Sequence, residues 1–273
     1  MIILTKDYFM KKNSLHNKIF LVFPVLAMLY AGHTDFPGGQ SAMQKAAKQQ
    51  VAPQQVAKQQ VAQKQDTLNY KTNANYSLQT ELFNVYKTHH ADIVMFGNSI
   101  THGAAWNELL GRSNVVERGI PSDVLRGYWT RINDIYKLNP KIVFIMGGLN
   151  DVYNWTSVED IFTVYVRIIN GLKSKKIIPV IQSTTYAARN YAKEWGATPE
   201  SNLGRNREID KLNKLLSDYA RKNNLEYIDL NSLIAGKDGY LKPELTWDGV
   251  HYKAETYKIW AREIEKVLAK YKL

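Results

Sequence analysis

The chain has 273 residues, with 36 Lys and Arg against 25 Asp and Glu, six His and no Cys. Its length allows one medium domain with extensions or two small ones, and 45% hydrophobic residues supply a full core, which excludes wholesale disorder. Without Cys there is no disulfide scaffold, thiolate metal site, thiol nucleophile or lipid-modified N-terminal cysteine. The net charge of +11 is divided as +5 over residues 1–66 and +6 over the remainder. With no basic stripe interleaved with aromatics, nucleic acid is not an expected partner.

Lys11, Lys12 and Lys18 precede the apolar run Ile19–Ala31, which Gly32 interrupts. A basic leader followed by about 13 apolar residues reads as a signal peptide over 1–31, too short for a comfortable membrane span. Met1 and Met10 both serve as possible starts. The chain is therefore expected to be exported to the periplasm, the envelope or the medium. Membrane contact would come only through an uncleaved N-terminal segment. Residues 32–70 read as a Gln/Ala/Lys linker, with QQVAP, QQVAK and QQVAQ in tandem from Gln49 to Gln63. A period of five matches neither a helix nor a heptad seam, so the valines form no continuous apolar stripe. Such a segment has too little apolar surface to offset its ordering entropy.

A single domain is expected over 71–273. Short apolar runs lie at Asp92–Phe96, Val115–Glu117, Lys141–Met146, Ile177–Gln182 and Glu226–Leu230. Helical patterns alternate with them at Leu78–His89, Asp123–Lys137, Val158–Lys173, Arg207–Lys222 and Ala254–Tyr271. Strands 25–45 residues apart with helices between them predict an α/β fold with a parallel sheet covered on both faces. Ligands in such folds bind at the carboxyl ends of the strands.

Polar residues with chemical potential stand at those ends. FGNSITHG places Ser99 after the first run, ERGIPSD places Gly119 after the second and MGGLND places Asn150 after the third. WDGVH carries Asp248 and His251 just before the last helix. A serine hydroxyl needs a base within hydrogen-bond reach. His251 can be that base, and Asp248, three residues earlier, can hold the other ring nitrogen. An oxyanion formed on attack needs preorganised donors. The N–H groups of Ser99 and Gly119 and the side-chain amide of Asn150 can supply them. Each motif alone is an ordinary turn, but their order and topological positions together favour catalysis.

These four blocks resemble the SGNH hydrolases, also called GDSL-like lipases and acylhydrolases, whose motifs contribute Ser, Gly, Asn and His in that order. The resemblance covers about residues 75–273. It implies a three-layer α/β/α sandwich with a flavodoxin-like five-stranded parallel sheet. It also implies a shallow serine esterase site lacking the strained G-x-S-x-G elbow. Asn98 stands where the family name has Asp, and Glu117 stands where members often carry Asn two residues before the glycine. His102 is a rival base three residues from Ser99, read as a rim histidine because no carboxylate lies beside it. No ligand spacing suggests a metal. No cofactor is needed, since nucleophile, base, orienter and anion donors are all present.

Trp155, Tyr186, Arg189 and Trp247 are candidate substrate contacts. The stretch Thr184–Asn206, longer than ordinary connections, is expected to shape the cleft, with Arg205 and Asn206 also candidates for a polar acid or sugar. The leading expectation is removal of short acyl groups, acetyl above all, from a small-molecule or glycan ester. A lysophospholipase or aryl esterase of the same mechanism is the alternative. A non-catalytic glycan-binding envelope module is a third, though such a module has no reason to keep every one of these positions.

Overall fold

The computed structural model describes residues 70–273. The signal peptide and all of the linker except Tyr70 lie outside the described residues. Tyr70 itself is buried, with its ring 5.0 Å from that of Tyr76.

The elements run α1 (Ala74–Val85), β1 (Ile93–Gly97), α2 (Ser99–His102), α3 (Trp106–Leu109), β2 (Val115–Gly119), α4 (Leu125–Thr130), α5 (Ile132–Tyr136) and β3 (Ile142–Ile145). They continue with α6 (Leu149–Tyr153), α7 (Val158–Ser174), β4 (Ile178–Gln182), α8 (Pro199–Lys222), β5 (Glu226–Ile228), α9 (Asn231–Ile234) and α10 (Ala254–Tyr271). The five strands form one sheet, ordered β2-β1-β3-β4-β5, and every neighbouring pair is parallel. The predicted α/β class and five-stranded parallel sheet are therefore observed.

This order has a physical consequence for the site. The chain steps from β1 to one side and then returns across it to β3, β4 and β5. With right-handed crossovers, the reversal sends successive connections to opposite faces and opens a crevice between the carboxyl ends of β1 and β3. Ser99 follows β1, and Asn150 follows β3. The strands themselves are buried runs such as IVMFG and IVFI, as a doubly covered parallel sheet requires.

On one face, Trp106 of α3 meets Trp260 of α10 edge-on at 4.6 Å. Tyr257 stacks on Trp260 at 6.2 Å. The Trp260 indole donates to Gln182 Oε1 at the end of β4 (2.5 Å). Tyr257 donates its hydroxyl to the Ile100 carbonyl (2.8 Å). The last helix is thus fastened to the turn that carries Ser99.

The observed elements differ from the expected ones in three instructive places. α1 starts four residues before the expected Leu78 because Asn73 caps it, its side chain accepting the Asn75 N–H. The single helix expected over Asp123–Lys137 is two, broken at Arg131 (φ −99°, ψ 14°). α8 begins at Pro199 rather than Arg207, because Thr198 and Ser201 form a reciprocal capping box with proline in the first turn. The expected long connection therefore ends some eight residues early.

Removing the Trp260 ring should cost about 3–5 kcal/mol, the usual penalty for emptying a large buried aromatic site. Chemical denaturation of Trp260→Ala measures this, with Trp260→Phe expected to lose less. Equal stability of Trp260→Ala and the parent would show that this cluster does not hold the last helix.

Candidate active site

Ser99 opens α2. Asn98 caps that short helix through its buried amide, whose oxygen accepts the Ile100 N–H (3.0 Å). Asparagine in place of aspartate therefore retains the local acceptor. As the first helical residue, Ser99 has an N–H with no preceding intrahelical carbonyl to bond.

The other half of the site comes from the loop before α10. Asp248 accepts the N–H groups of Val250 (2.9 Å) and His251 (2.8 Å) on Oδ1. Its Oδ2 lies 2.6 Å from His251 Nδ1. A carboxylate on Nδ1 places the ring proton there, leaving Nε2 as an acceptor. Nε2 lies 2.8 Å from Ser99 Oγ. Burial is the largest influence on Asp248 and pushes its pKa up. The bonds from the His251 ring and from the two backbone N–H groups outweigh it, holding the carboxyl below its ordinary value. Gly249 sits at φ 101°, where a Cβ would come within 3.0 Å of the Tyr191 backbone, so only glycine fits.

The anion donors are arranged less simply. The Asn150 amide donates one hydrogen to the Asp123 carbonyl (2.8 Å), which fixes the plane of the group and leaves its second N–H. A Cβ on Gly119 would lie 2.6 Å from both the Asn98 carbonyl and the His102 nitrogen, so glycine is what lets α2 settle on β2. The Gly119 N–H, however, donates to the Glu117 carboxylate. That donor can serve an oxyanion only once the carboxylate moves aside.

The same carboxylate corrects the reading of His102. Glu117 Oε2 stands 3.6 Å from His102 Nδ1. Far apart in sequence, the two meet because the β1–β2 register sets Gly97 beside Gly119 and Met95 beside Glu117. Glu117 is the largest influence on His102 and raises its pKa, against the opposing effect of burial. The bond to Ser99 Oγ nevertheless comes from His251.

Among the expected substrate contacts, Trp247 stacks on the His251 ring (centroids 5.5 Å, planes 20° apart) and is 68% exposed. Trp155 is 82% exposed at φ 62°, with the Arg205 guanidinium 3.0 Å from its ring centroid. Tyr186 bonds instead to Asp210. Arg189 pairs with Asp238 (3.1 Å) and lies over Tyr240. Asn206 is buried and bonds only backbone, namely Ala187 and the Gly239 carbonyl, so it is not placed to meet a substrate.

The sequence reading missed Asn202. It is buried and receives the Tyr153 hydroxyl (3.0 Å), while its amide donates to the Arg189 and Tyr191 carbonyls (3.1 and 2.9 Å). It thereby shapes the 184–198 connection, which leans on the histidine loop through the Ala188 N–H and the Gly249 carbonyl (2.7 Å). Its place at the start of α8 is the signal that the late expected helix start concealed.

Comparison with known proteins agrees with this architecture. The GDSL-like Lipase/Acylhydrolase family model matches residues 95–259, and the chain belongs to that family. A GDSL-like lipase structure from Bacteroides thetaiotaomicron is similar at TM-score 0.61 and 24% identity, over 72% of this chain and 98% of that one. An acetylxylan esterase from Geobacillus stearothermophilus is similar at TM-score 0.51 and 17% identity, over 66% and 95%. A curated N-acylneuraminate cytidylyltransferase from Streptococcus agalactiae is 29% identical over 112 residues, 41% of this chain. The chain spans about a quarter of that relative's length, 24%.

His102 should titrate above its ordinary 6.5, and Glu117→Gln should bring its NMR midpoint back down. The raised value means the pairing supports the fold fully below about 6.5 and is lost as pH rises through the folded midpoint. An unchanged midpoint in Glu117→Gln would show that Glu117 does not control this imidazole.

Proposed function

We propose that the chain is an exported serine esterase that removes short acyl groups, acetyl first among them, from carbohydrate. The single observation carrying the serine mechanism is the unbroken hydrogen-bond line from Ser99 Oγ through His251 to Asp248, at 2.8 and 2.6 Å.

In this reading His251 Nε2 takes the Ser99 proton as Oγ attacks the ester carbonyl. The Asp248 carboxylate steadies the imidazolium that results. The carbonyl oxygen, now negative, is held by the Ser99 N–H and the second N–H of Asn150. The Gly119 N–H joins them when Glu117 turns toward His102. His251 then returns the proton to the leaving alcohol oxygen and the C–O bond breaks. Water repeats the sequence to free the acid and restore Ser99.

Two features support sugar as the alcohol that bears the acyl group. The exposed faces of Trp247 and Trp155 suit sugar rings, and the names of two similar proteins, an acetylxylan esterase and an N-acylneuraminate cytidylyltransferase, both concern sugars. Export rests on the basic and apolar N-terminal sequence.

Ser99→Ala should lower acetyl ester turnover on the order of 10⁶-fold, and Asn150→Ala by about 10²–10³-fold. Across an acetyl-to-palmitoyl series, kcat/KM should be greatest for acetyl and fall with chain length. A profile rising toward palmitoyl would replace sugar deacetylation with lipid hydrolysis. Full activity in Ser99→Ala would end the serine mechanism.

A further inference from the structure

Beneath the site lies an ion pair that the chemistry above does not use. Arg131 and Asp123 bond at 2.9 Å through Nε and Oδ2, with side chains 1% and 0% exposed. The rest of the guanidinium goes to backbone. Nη1 donates to the Arg118 carbonyl (2.9 Å) and Nη2 to the Gly97 carbonyl (3.0 Å). The cation also lies against two neighbouring rings, 4.6 Å from the Phe96 centroid and 5.0 Å from that of Tyr128.

The identity of those carbonyls matters. Gly97 is the last residue of β1, one residue before the Asn98 cap and two before Ser99. Arg118 immediately precedes Gly119. The third partner, Asp123, offers its own carbonyl to the Asn150 amide (2.8 Å). Asp123 Oδ1 also accepts the Val124 N–H (3.0 Å), fixing the start of the segment that leads into α4. One buried guanidinium and one buried carboxylate are thus connected to the three chain segments that carry Ser99, Gly119 and Asn150.

We propose that the Arg131–Asp123 pair positions the oxyanion donors: it sets the relative placement of the Ser99, Gly119 and Asn150 N–H groups without touching the substrate. The inference rests on the serine esterase reading above. Stability alone does not account for the pair, since a buried ion pair is commonly no better than well-packed apolar side chains of similar volume. What apolar side chains cannot do is bind two strand-end carbonyls and a third loop at once. Arginine is suited to this because its planar fork has five donors at fixed angles; a lysine ammonium is a point charge on a flexible stem. The break between α4 and α5 at Arg131 fits a residue held by these strand-end bonds.

The test uses Arg131→Lys and the neutral pair Asp123→Asn with Arg131→Gln. The second variant leaves no unpaired charge buried if the first fails to fold. Circular dichroism selects the folded variants. The readouts are kcat and KM for p-nitrophenyl acetate, and the Ki of methylboronic acid, whose tetrahedral adduct would present an oxygen to the same donors.

A misplacement of about 1 Å costs on the order of 10²-fold in rate. Arg131→Lys should therefore lower kcat by about 10–10²-fold with KM nearly unchanged, and weaken methylboronic acid by a similar factor. That pattern marks an interaction made in the transition state and not the ground state. A folded variant with kcat and boronate affinity within about threefold of the parent would overturn the positioning role, as would a rise in KM alone. Absence of Ser99-dependent activity in the parent would instead remove the serine esterase reading itself.

Discussion

The hydrogen bond between Ser99 Oγ and His251 Nε2 joins residues 152 apart in sequence, and most of the molecule bears on whether those two atoms can stay 2.8 Å apart. One partner hangs from the end of the first strand and the other from the loop before the last helix. The parallel sheet brings the strand ends to one edge, and the chain leaving β5 carries Asp248 and His251 before the last helix begins at Ala254. Tyr257 ties the two halves together by donating to the carbonyl of Ile100, the residue after Ser99.

Loops at such an edge are held by polar side chains buried beneath them, because every backbone group taken from water needs a partner. Asn98 caps the serine turn, Asn202 gathers the carbonyls of the 184–198 connection and Asn206 clasps Ala187. Thr246 receives the Gly249 N–H (2.9 Å) and donates to the His251 carbonyl (2.7 Å), closing the histidine loop on itself. In this account Arg131 and Asp123 extend the same logic to the segments bearing the anion donors. Trp155 and Trp247, in contrast, remain largely exposed.

Much of this was legible in the sequence. Five apolar runs separated by amphipathic stretches specify a parallel sheet, and the final helix, Ala254–Tyr271, has its expected bounds because its apolar face is regular. The Asp-x-x-His spacing likewise foretold that one turn would present both groups. What escaped depends on contacts between segments. Glu117 meets His102 only through strand register, which no local pattern records. Asn202 reads as part of a connection because the Thr198–Ser201 capping box lies well ahead of the helix's apolar repeat. Arg131 left a trace, since a basic residue three positions after Tyr128 and four before Ile135 falls on the buried face of its helical pattern. Its partners could not be named without the strand ends.

The central claim is that Ser99 is a hydroxyl nucleophile activated by His251. The most direct measurement is to treat the purified chain with a fluorophosphonate at neutral pH and map the adduct by peptide mass spectrometry. The account predicts one adduct, on the peptide containing Ser99, that forms far more slowly in His251→Ala. A folded chain that takes up no label, or takes it elsewhere while Ser99 stays unmodified, would contradict it.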